Sequence, residues 1–206
     1  LFVPIEECTY NDWDWVMGVD FGGVVNGVQT FVPRIRRHGE GGHIVNTASM
    51  AAFLPSPLAG AYTAAKFAVR GLSEALRLSL YHHNIGVSVF CPGLINSAIY
   101  ESEKMRPDAL PSPENTERNR RFMDRLPEIH RFGMDPEEVG EKVLAGIRAN
   151  DLYIFSHPEF RDELREMFDR TLAAVPAGEV PAERLAFEQG RREGLEKDRK
   201  GADAIG

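Results

Sequence analysis

Apolar residues return along this chain in two alternating rhythms. Trp13, Val16, Met17, Phe21, Val24, Val25, Val28, Phe31 and Val32 recur at helical spacing and predict a helix from about Asp12 to about Arg37. Thr9 or Asn11 can cap it, and Asp12 and Asp14 suit the positive end of its dipole. Pro33 predicts a kink or break near its end. After the turn Gly39–Gly42, the uncharged run His43–Ser49 reads as a strand. Ala51–Gly60, with Pro55 and Pro57, reads as a loop. A second long helix is expected from about Ala61 to about His83, and a second strand, Gly86–Cys91, ends at Pro92-Gly93.

Beyond that strand the rhythm weakens. Ile95–Gly133 is polar and rich in proline and charge, a loop expected to hold one or two helices. Asp135-Pro136-Glu137-Glu138 is a strong helix start, with a capping Asp, Pro at the first helical position and acids behind it. That helix ends near Asn150, followed by a short strand Leu152–Phe155 and an amphipathic helix Phe160–Ala174. Helices alternating with near-continuous apolar strands predict an α/β fold: a doubly wound, Rossmann-like parallel sheet in three α/β/α layers. Residues 1–178 are read as the C-terminal, catalytic part of a single Rossmann-like domain that is N-terminally incomplete. Residues 179–206 form a charged tail, with 13 charged residues among 28, read as a solvated helix or disordered.

Composition narrows the class. At 206 residues and 43% hydrophobic, the chain can bury one real core. Its net charge of -7 lacks the basic footprint of a nucleic-acid binder. Cys8 and Cys91 make no disulfide framework, and no Cys/His cluster has zinc spacing, so no metal site is expected and a reducing, cytoplasmic setting fits. The uncharged stretch His43–Ala65 contains Asn46, Pro55, Pro57 and Gly60 and is not a membrane span. Leu1–Tyr10 has no basic start and does not read as a signal peptide.

The candidate chemistry lies where strands end. Ser49 closes the first strand and Pro92-Gly93 the second. Ligands of open α/β sheets bind beyond the carboxyl ends of the strands, so both should face one crevice. Tyr62 and Lys66, four residues apart at the start of the intervening helix, can reach it. A phenol, ordinarily titrating near pH ~10, is a poor base at neutral pH, and a neighbouring ammonium favours its phenolate. Such a pair can exchange a proton with an alcohol or carbonyl oxygen, which a Ser hydroxyl can hold. Hydride transfer needs a cofactor, since no side chain supplies hydride.

These stretches resemble the short-chain dehydrogenase/reductase family: His43–Ser49, then Ala61-Tyr62-Thr63-Ala64-Ala65-Lys66-Phe67-Ala68, then Cys91-Pro92-Gly93-Leu94-Ile95-Asn96-Ser97, with Asp135–Val139 like the start of its late helix. The resemblance covers roughly residues 1 to 175. It implies Tyr62 as general acid/base, Lys66 supporting Tyr62 and binding the nicotinamide ribose, and Ser49 orienting the substrate oxygen. Pro92, Gly93 and Ile95 would line the nicotinamide, with Ser97 in place of the usual Thr. The cofactor would be NAD or NADP and the substrate a secondary alcohol or ketone. Two features depart from the family. Asp20, in Val19-Asp20-Phe21-Gly22-Gly23, stands where the family has a catalytic Asn, and its carboxylate could pair with Lys66. The glycine-rich dinucleotide fingerprint is absent, so the chain is expected to begin after the first half of the family fold.

A rival reading is therefore a non-catalytic truncated remnant serving as an oligomerisation partner. An epimerase or dehydratase shares the Tyr/Lys pair, but Gly133–Gly206 is short for its substrate domain. The helix Ala61–His83 carries a charged stripe, Lys66, Arg70, Glu74 and Arg77, on an otherwise apolar surface. The sheet covers one face only, so a homodimer or homotetramer through this helix is expected, as in the family; cover by another part of the chain is the alternative. Arg118, Arg120, Arg121, Arg125 and Arg131 could meet an anionic substrate, or pair with Glu117, Asp124 and Glu128. Phe53, Leu54, Leu58, Leu94 and Ile99 are expected near the crevice mouth, where they would favour an apolar substrate.

Overall fold

A computed structural model describes residues 1–111 and 117–205, with side chains left out at 117–120. Thr9 caps the first helix in a reciprocal capping box with Asp12. Helix α1, Tyr10–Val16, runs through a π-helical turn, Met17–Phe21, into α2, Gly22–His38. The predicted helix is thus one helical run, but widened at Asp20. Pro33 lies inside α2 without ending it. Gly39 ends it instead, in the left-handed conformation at φ 73°.

Strand β1, Gly42–Thr47, pairs in parallel with β2, Ile85–Cys91, and β2 pairs in parallel with β3, Tyr153–Phe155. Ser49 therefore lies two residues past its strand, where its hydroxyl caps a 3₁₀ turn, Met50–Ala52. Helix α3, Gly60–Leu80, crosses from β1 to β2. Ile85 and Val87 pack with Leu76 and Leu80 of α3 and Val32 and Ile35 of α2, and Val89 and Cys91 pack with Val69 of α3. Phe90 faces the other way, with Ile154 and with Val139, Val143 and Ile147 of helix α5, Pro136–Arg148. This period-two alternation makes three layers, helices on both faces of a parallel sheet. Each fully buried Ile or Val contributes about 1.5–3 kcal/mol, which makes the central strand β2 the spine of the fold.

The polar middle segment holds a 3₁₀ helix, Ile99–Met105, and helix α4, Glu117–His130. Helix α6 spans Arg161–Ala173. The charged tail is a helix, α7, Ala182–Asp203, mostly exposed but docked at its end. Asp203 pairs with Arg77 at 2.8 Å, Tyr81 donates to Asp198 at 3.0 Å, and Asn150 donates to the Ala202 carbonyl at 2.9 Å. Part of α3 is thus covered by the chain's own tail, the alternative to a second subunit, and Arg77 of the charged stripe is 4% exposed. Phe67 on the same helix remains 42% exposed.

Candidate active site

The ends of β1 and β2 are held together past their last ladder pair. Ala48 N donates to Phe90 O at 2.8 Å, and Met50 N donates to Pro92 O at 2.8 Å. Ser49 and Pro92-Gly93 are thereby fixed side by side. Ser49 Oγ accepts from Ala51 N at 3.1 Å, which leaves its own proton free to donate. The small residues Ala61 and Ala65 let α3 pack against Trp15 and Val16, and Tyr62 joins that cluster.

One cavity of about 440 Å³ opens here. Ser49, Tyr62, Pro92, Gly93, Ile95, Ser97 and Asp20 all line it, so the structure brings these candidate residues together. Lys66 does not line it. Its residue is 8% exposed and its ammonium lies 5.4 Å from the centre of the Tyr62 ring. The ammonium pairs with Asp20 Oδ1 at 3.0 Å and donates to Thr47 O at 3.3 Å. The departure at Asp20 has a structural outcome: the carboxylate takes hold of Lys66 from the π-helical turn, an irregularity found frequently at functional sites.

The rest of the wall is mostly apolar and is drawn from distant parts of the chain. Phe2 comes from the first residues, Trp15, Val16 and Val19 from the first helical run, Leu94 and Ile99 from the segment after β2, and His130 from the end of α4. Of the apolar residues expected at the mouth, Leu94 and Ile99 line the cavity. Phe53, Leu54 and Leu58 do not: Phe53 is 3% exposed, and its ring stands 5.7 Å from Tyr153 and 5.6 Å from Phe155 in the core. The loop instead packs Phe53 and Leu54 into the core beside Val69 of α3, and Arg70 lies over it, its guanidinium 3.9 Å from the Phe53 ring. Arg121, Arg125 and Arg131 are not in the cavity wall; the side chains of Arg118 and Arg120 lie outside the described residues.

Sequence reasoning missed Trp15, Val16 and Val19, although they share a helix face with Asp20 at i, i+1 and i+4. It also missed His130, whose position depends on a distant helix and had no local signal. A buried ion pair holds this wall. Arg106 Nη1 meets Asp12 Oδ1 at 2.7 Å, and the guanidinium lies 4.9 Å from the Trp15 ring. Burial pushes the Asp12 carboxyl up, but hydrogen bonds from Thr9 and the Arg106 charge outweigh it and hold the group below its ordinary value. Farther off, burial pushes the Cys91 thiol up to about 12, and burial with the Glu74 carboxylate pushes Tyr153 up to about 12.

The family model for short chain dehydrogenases matches residues 2–107. The chain belongs to the short-chain dehydrogenase family. It is 41% identical over 174 residues to the C alpha-dehydrogenase of Sphingobium sp. strain NBRC 103272 / SYK-6, covering 84% of this chain and 57% of that protein. A solved chain from Novosphingobium aromaticivorans superposes with a TM-score of 0.78 at 42% identity, covering 98% of this chain and 66% of that one. A Burkholderia phymatum member, solved in complex with NAD, superposes with a TM-score of 0.77 at 32% identity, covering 88% of this chain and 68% of that one. Measured against the Sphingobium relative, this short-chain dehydrogenase chain spans little more than half the length. No helix among the described residues is long and apolar enough to cross a membrane.

Proposed function

We propose that this chain carries the proton-handling site of an oxidoreductase that interconverts a secondary alcohol and a ketone with NAD or NADP. The observation that carries the reading is the convergence of Ser49, Tyr62 and the Pro92–Ile95 turn on one cavity, with Lys66 beside Tyr62. When bound, the nicotinamide cofactor supplies or accepts the hydride. In the reducing direction Tyr62 gives its phenolic proton to the carbonyl oxygen. Ser49, its hydroxyl proton uncommitted, donates to the same oxygen and holds it. The Lys66 charge offsets the negative charge left on Tyr62, and Asp20 and Thr47 O hold that ammonium in place. In the oxidising direction the same groups take the proton back.

The cavity wall suits a nicotinamide. Ile95 pairs with Met134 as an isolated parallel bridge, whose bonds are Met134 N to Leu94 O at 2.9 Å and Asn96 N to Met134 O at 3.0 Å. The peptide groups of Ile95 itself therefore point away from Met134 and are available to a carboxamide. Pro92, Gly93 and Ser97 complete that wall, and the Lys66 ammonium, behind it and beside Tyr62, keeps one proton beyond those given to Asp20 and Thr47 O for the ribose. The NAD complex of the Burkholderia relative supports the same choice. The apolar lining supports a substrate with a large apolar portion. The exposed Phe67 face of α3 supports pairing of two or more copies there, and two free thiols suit a cytoplasmic setting.

Tyr62→Phe in the complete polypeptide tests the reading. Turnover should fall by about 10²–10⁴-fold, the usual contribution of a general acid, while NADH binding by fluorescence titration is retained. Full activity would sink the assignment. Failure of the unmodified polypeptide to bind either NADH or NADPH would favour the non-catalytic oligomerisation partner.

A further inference from the structure

The carboxyl end of β3 holds a side chain that neither the family motifs nor the cavity wall includes. His157 follows β3 by two residues and is 6% exposed, beside Ser156 at 1%. Its ring bridges the backbone of the turn after β2. Gly93 N–H donates to Nδ1 at 3.0 Å, and Nε2 lies 2.8 Å from Leu94 O. An amide N–H can only donate and a carbonyl can only accept. Nδ1 must therefore be the bare nitrogen and Nε2 must carry the proton, which fixes a neutral imidazole in one tautomer. The Ser156 hydroxyl lies 2.7 Å from the same Nδ1 and can only donate to it.

The fit is close on every side. A Cβ on Gly93 would come within 2.6 Å of Phe160 Cε2 and 2.9 Å of the His157 ring, so the imidazole lies directly against this glycine. Phe160 stands edge-on to the imidazole at 6.2 Å between ring centres. The two bonds from His157 engage an N–H and a carbonyl on successive residues. They set the orientation of the Gly93–Leu94 segment, and hence the direction of the Ile95 peptide groups that follow.

We propose that His157 is a positioning residue for cofactor binding: its neutral imidazole clamps Gly93 and Leu94 so that the Pro92–Ile95 turn presents a fixed backbone surface to the nicotinamide. This rests on reading that turn as the nicotinamide wall. His157 itself does not line the cavity and touches no reacting atom. A histidine serving the core alone would need bulk only, whereas the clamp needs an acceptor at Gly93 and a donor at Leu94.

The test uses the complete polypeptide with His157→Leu, which keeps bulk and removes both bonds, and His157→Asn, whose Oδ1 can replace Nδ1 as acceptor. Two readouts are taken: NADH and NADPH dissociation constants by fluorescence, and hydrogen exchange at the Gly93 amide of the cofactor-free protein by NMR. The unmodified protein should bind cofactor and protect the Gly93 amide. His157→Leu should bind at least about tenfold more weakly, the equivalent of losing one to two hydrogen bonds, and should lose that protection. His157→Asn, which restores the acceptor for Gly93 but not the donor to Leu94, should keep the protection and bind more tightly than His157→Leu but more weakly than the unmodified protein. A folded His157→Leu with unchanged affinity overturns the proposal, as does equal weakening in both variants with Gly93 still protected. If His157→Leu does not fold, the unmodified protein and His157→Asn decide. A Gly93 amide that exchanges freely in the first, or an unprotected Gly93 with full affinity in the second, refutes the clamp. An unmodified protein that protects Gly93 yet binds neither nucleotide overturns the nicotinamide reading, and the proposed role with it.

Discussion

The buried pair of Asp12 and Arg106 allows a quantitative test of how the cavity wall is held. Asp12 is 0% exposed, and both its oxygens are committed. Oδ2 accepts from Thr9 N at 2.8 Å and from Thr9 Oγ1 at 2.7 Å, while Oδ1 accepts from Arg106 Nη1 at 2.7 Å. Asp12→Asn keeps the shape but offers one acceptor oxygen and one NH₂. Whichever way the amide turns, its NH₂ meets a donor, either Thr9 or Arg106. Opposite unit charges at this separation attract by about 6 kcal/mol at an effective dielectric constant near 20, and desolvation cancels part of that. Breaking one side of a buried pair typically costs about 3–5 kcal/mol, so a loss of about 3 kcal/mol is expected.

For a protein of this size each kcal/mol moves the melting temperature by about 2–4 °C, so thermal denaturation followed by circular dichroism should show a drop of roughly 10 °C. The double variant Asp12→Asn/Arg106→Met should recover part of the loss, with a coupling above about 1 kcal/mol. The pH dependence has a definite sign. The folded Asp12 carboxyl titrates below its ordinary value of 3.8. Its contribution is therefore complete above that pH and fades as pH falls through the folded value. The Asp12→Asn curve should lack this acid limb and converge on the unmodified protein at low pH. A loss under about 1 kcal/mol, or strictly additive single variants, would refute the account. Because Arg106 also holds Leu110 O at 2.5 Å and lies over Trp15, loosening it should raise substrate KM.

Other perturbations follow from single contacts. Asp20→Ala removes the carboxylate that holds Lys66 and should lower kcat about tenfold, whereas Asp20→Asn, still an acceptor for Nζ, should stay within about threefold; equal losses would refute the holding role of an acceptor at this position. Gly41→Ala would place a Cβ 2.5 Å from the Asn84 carbonyl oxygen at φ +79°, and urea denaturation should show a loss of about 2 kcal/mol or more; a change below about 0.5 kcal/mol would contradict the packing. Cys91 and Tyr153 both titrate near 12 in the fold, against 9.0 and 10.0 ordinarily. Each binds its proton more tightly when folded, so stability should decline as pH rises from 9 towards 12, and Tyr153→Phe should make that decline shallower; identical alkaline limbs for the two proteins would exclude the Tyr153 contribution.

What could be read from the sequence and what could not divide along a physical line. Helix and strand periods reflect which face is buried, so α3 and β2 were legible from their apolar patterns and α5 from its Asp-Pro-Glu-Glu start, and the strand-end rule then placed Ser49 and Pro92-Gly93 in one crevice. Met17, Phe21 and Val24 keep spacings of four and three across the π-helical turn, so the turn at Asp20 had no signature. Arg77 fell on a charged stripe, and only the fold reveals that α7 returns to bury it against Val87 O and Asn150 O at 3.0 and 2.9 Å. His157 was within reach: it stands past the end of the third strand, where the rule that located Ser49 applies equally. Its neighbours in sequence carry no family motif, and the partner backbone lies more than sixty residues away.

The Asp20 substitution bears directly on whether the proton-handling group is intact. A lysine ammonium has three protons to donate. In this structure one goes to Asp20 Oδ1 at 3.0 Å and one to Thr47 O at 3.3 Å. That leaves one, on an ammonium 5.4 Å from the Tyr62 ring centre. The carboxylate therefore does not exhaust Lys66; together with Thr47 O it fixes two of the three directions and so restricts the third. An asparagine side chain at the same place would hold the ammonium without opposing its charge. With Asp20 the hold is stronger and part of the positive field is neutralised, so the two effects act on Tyr62 in opposite senses. The Asp20→Ala and Asp20→Asn pair separates them: alanine removes both, and asparagine removes only the neutralising charge. If holding dominates, asparagine restores turnover. If neutralisation dominates, both variants turn over faster than the unmodified protein, and Asp20 acts as a restraint on the site.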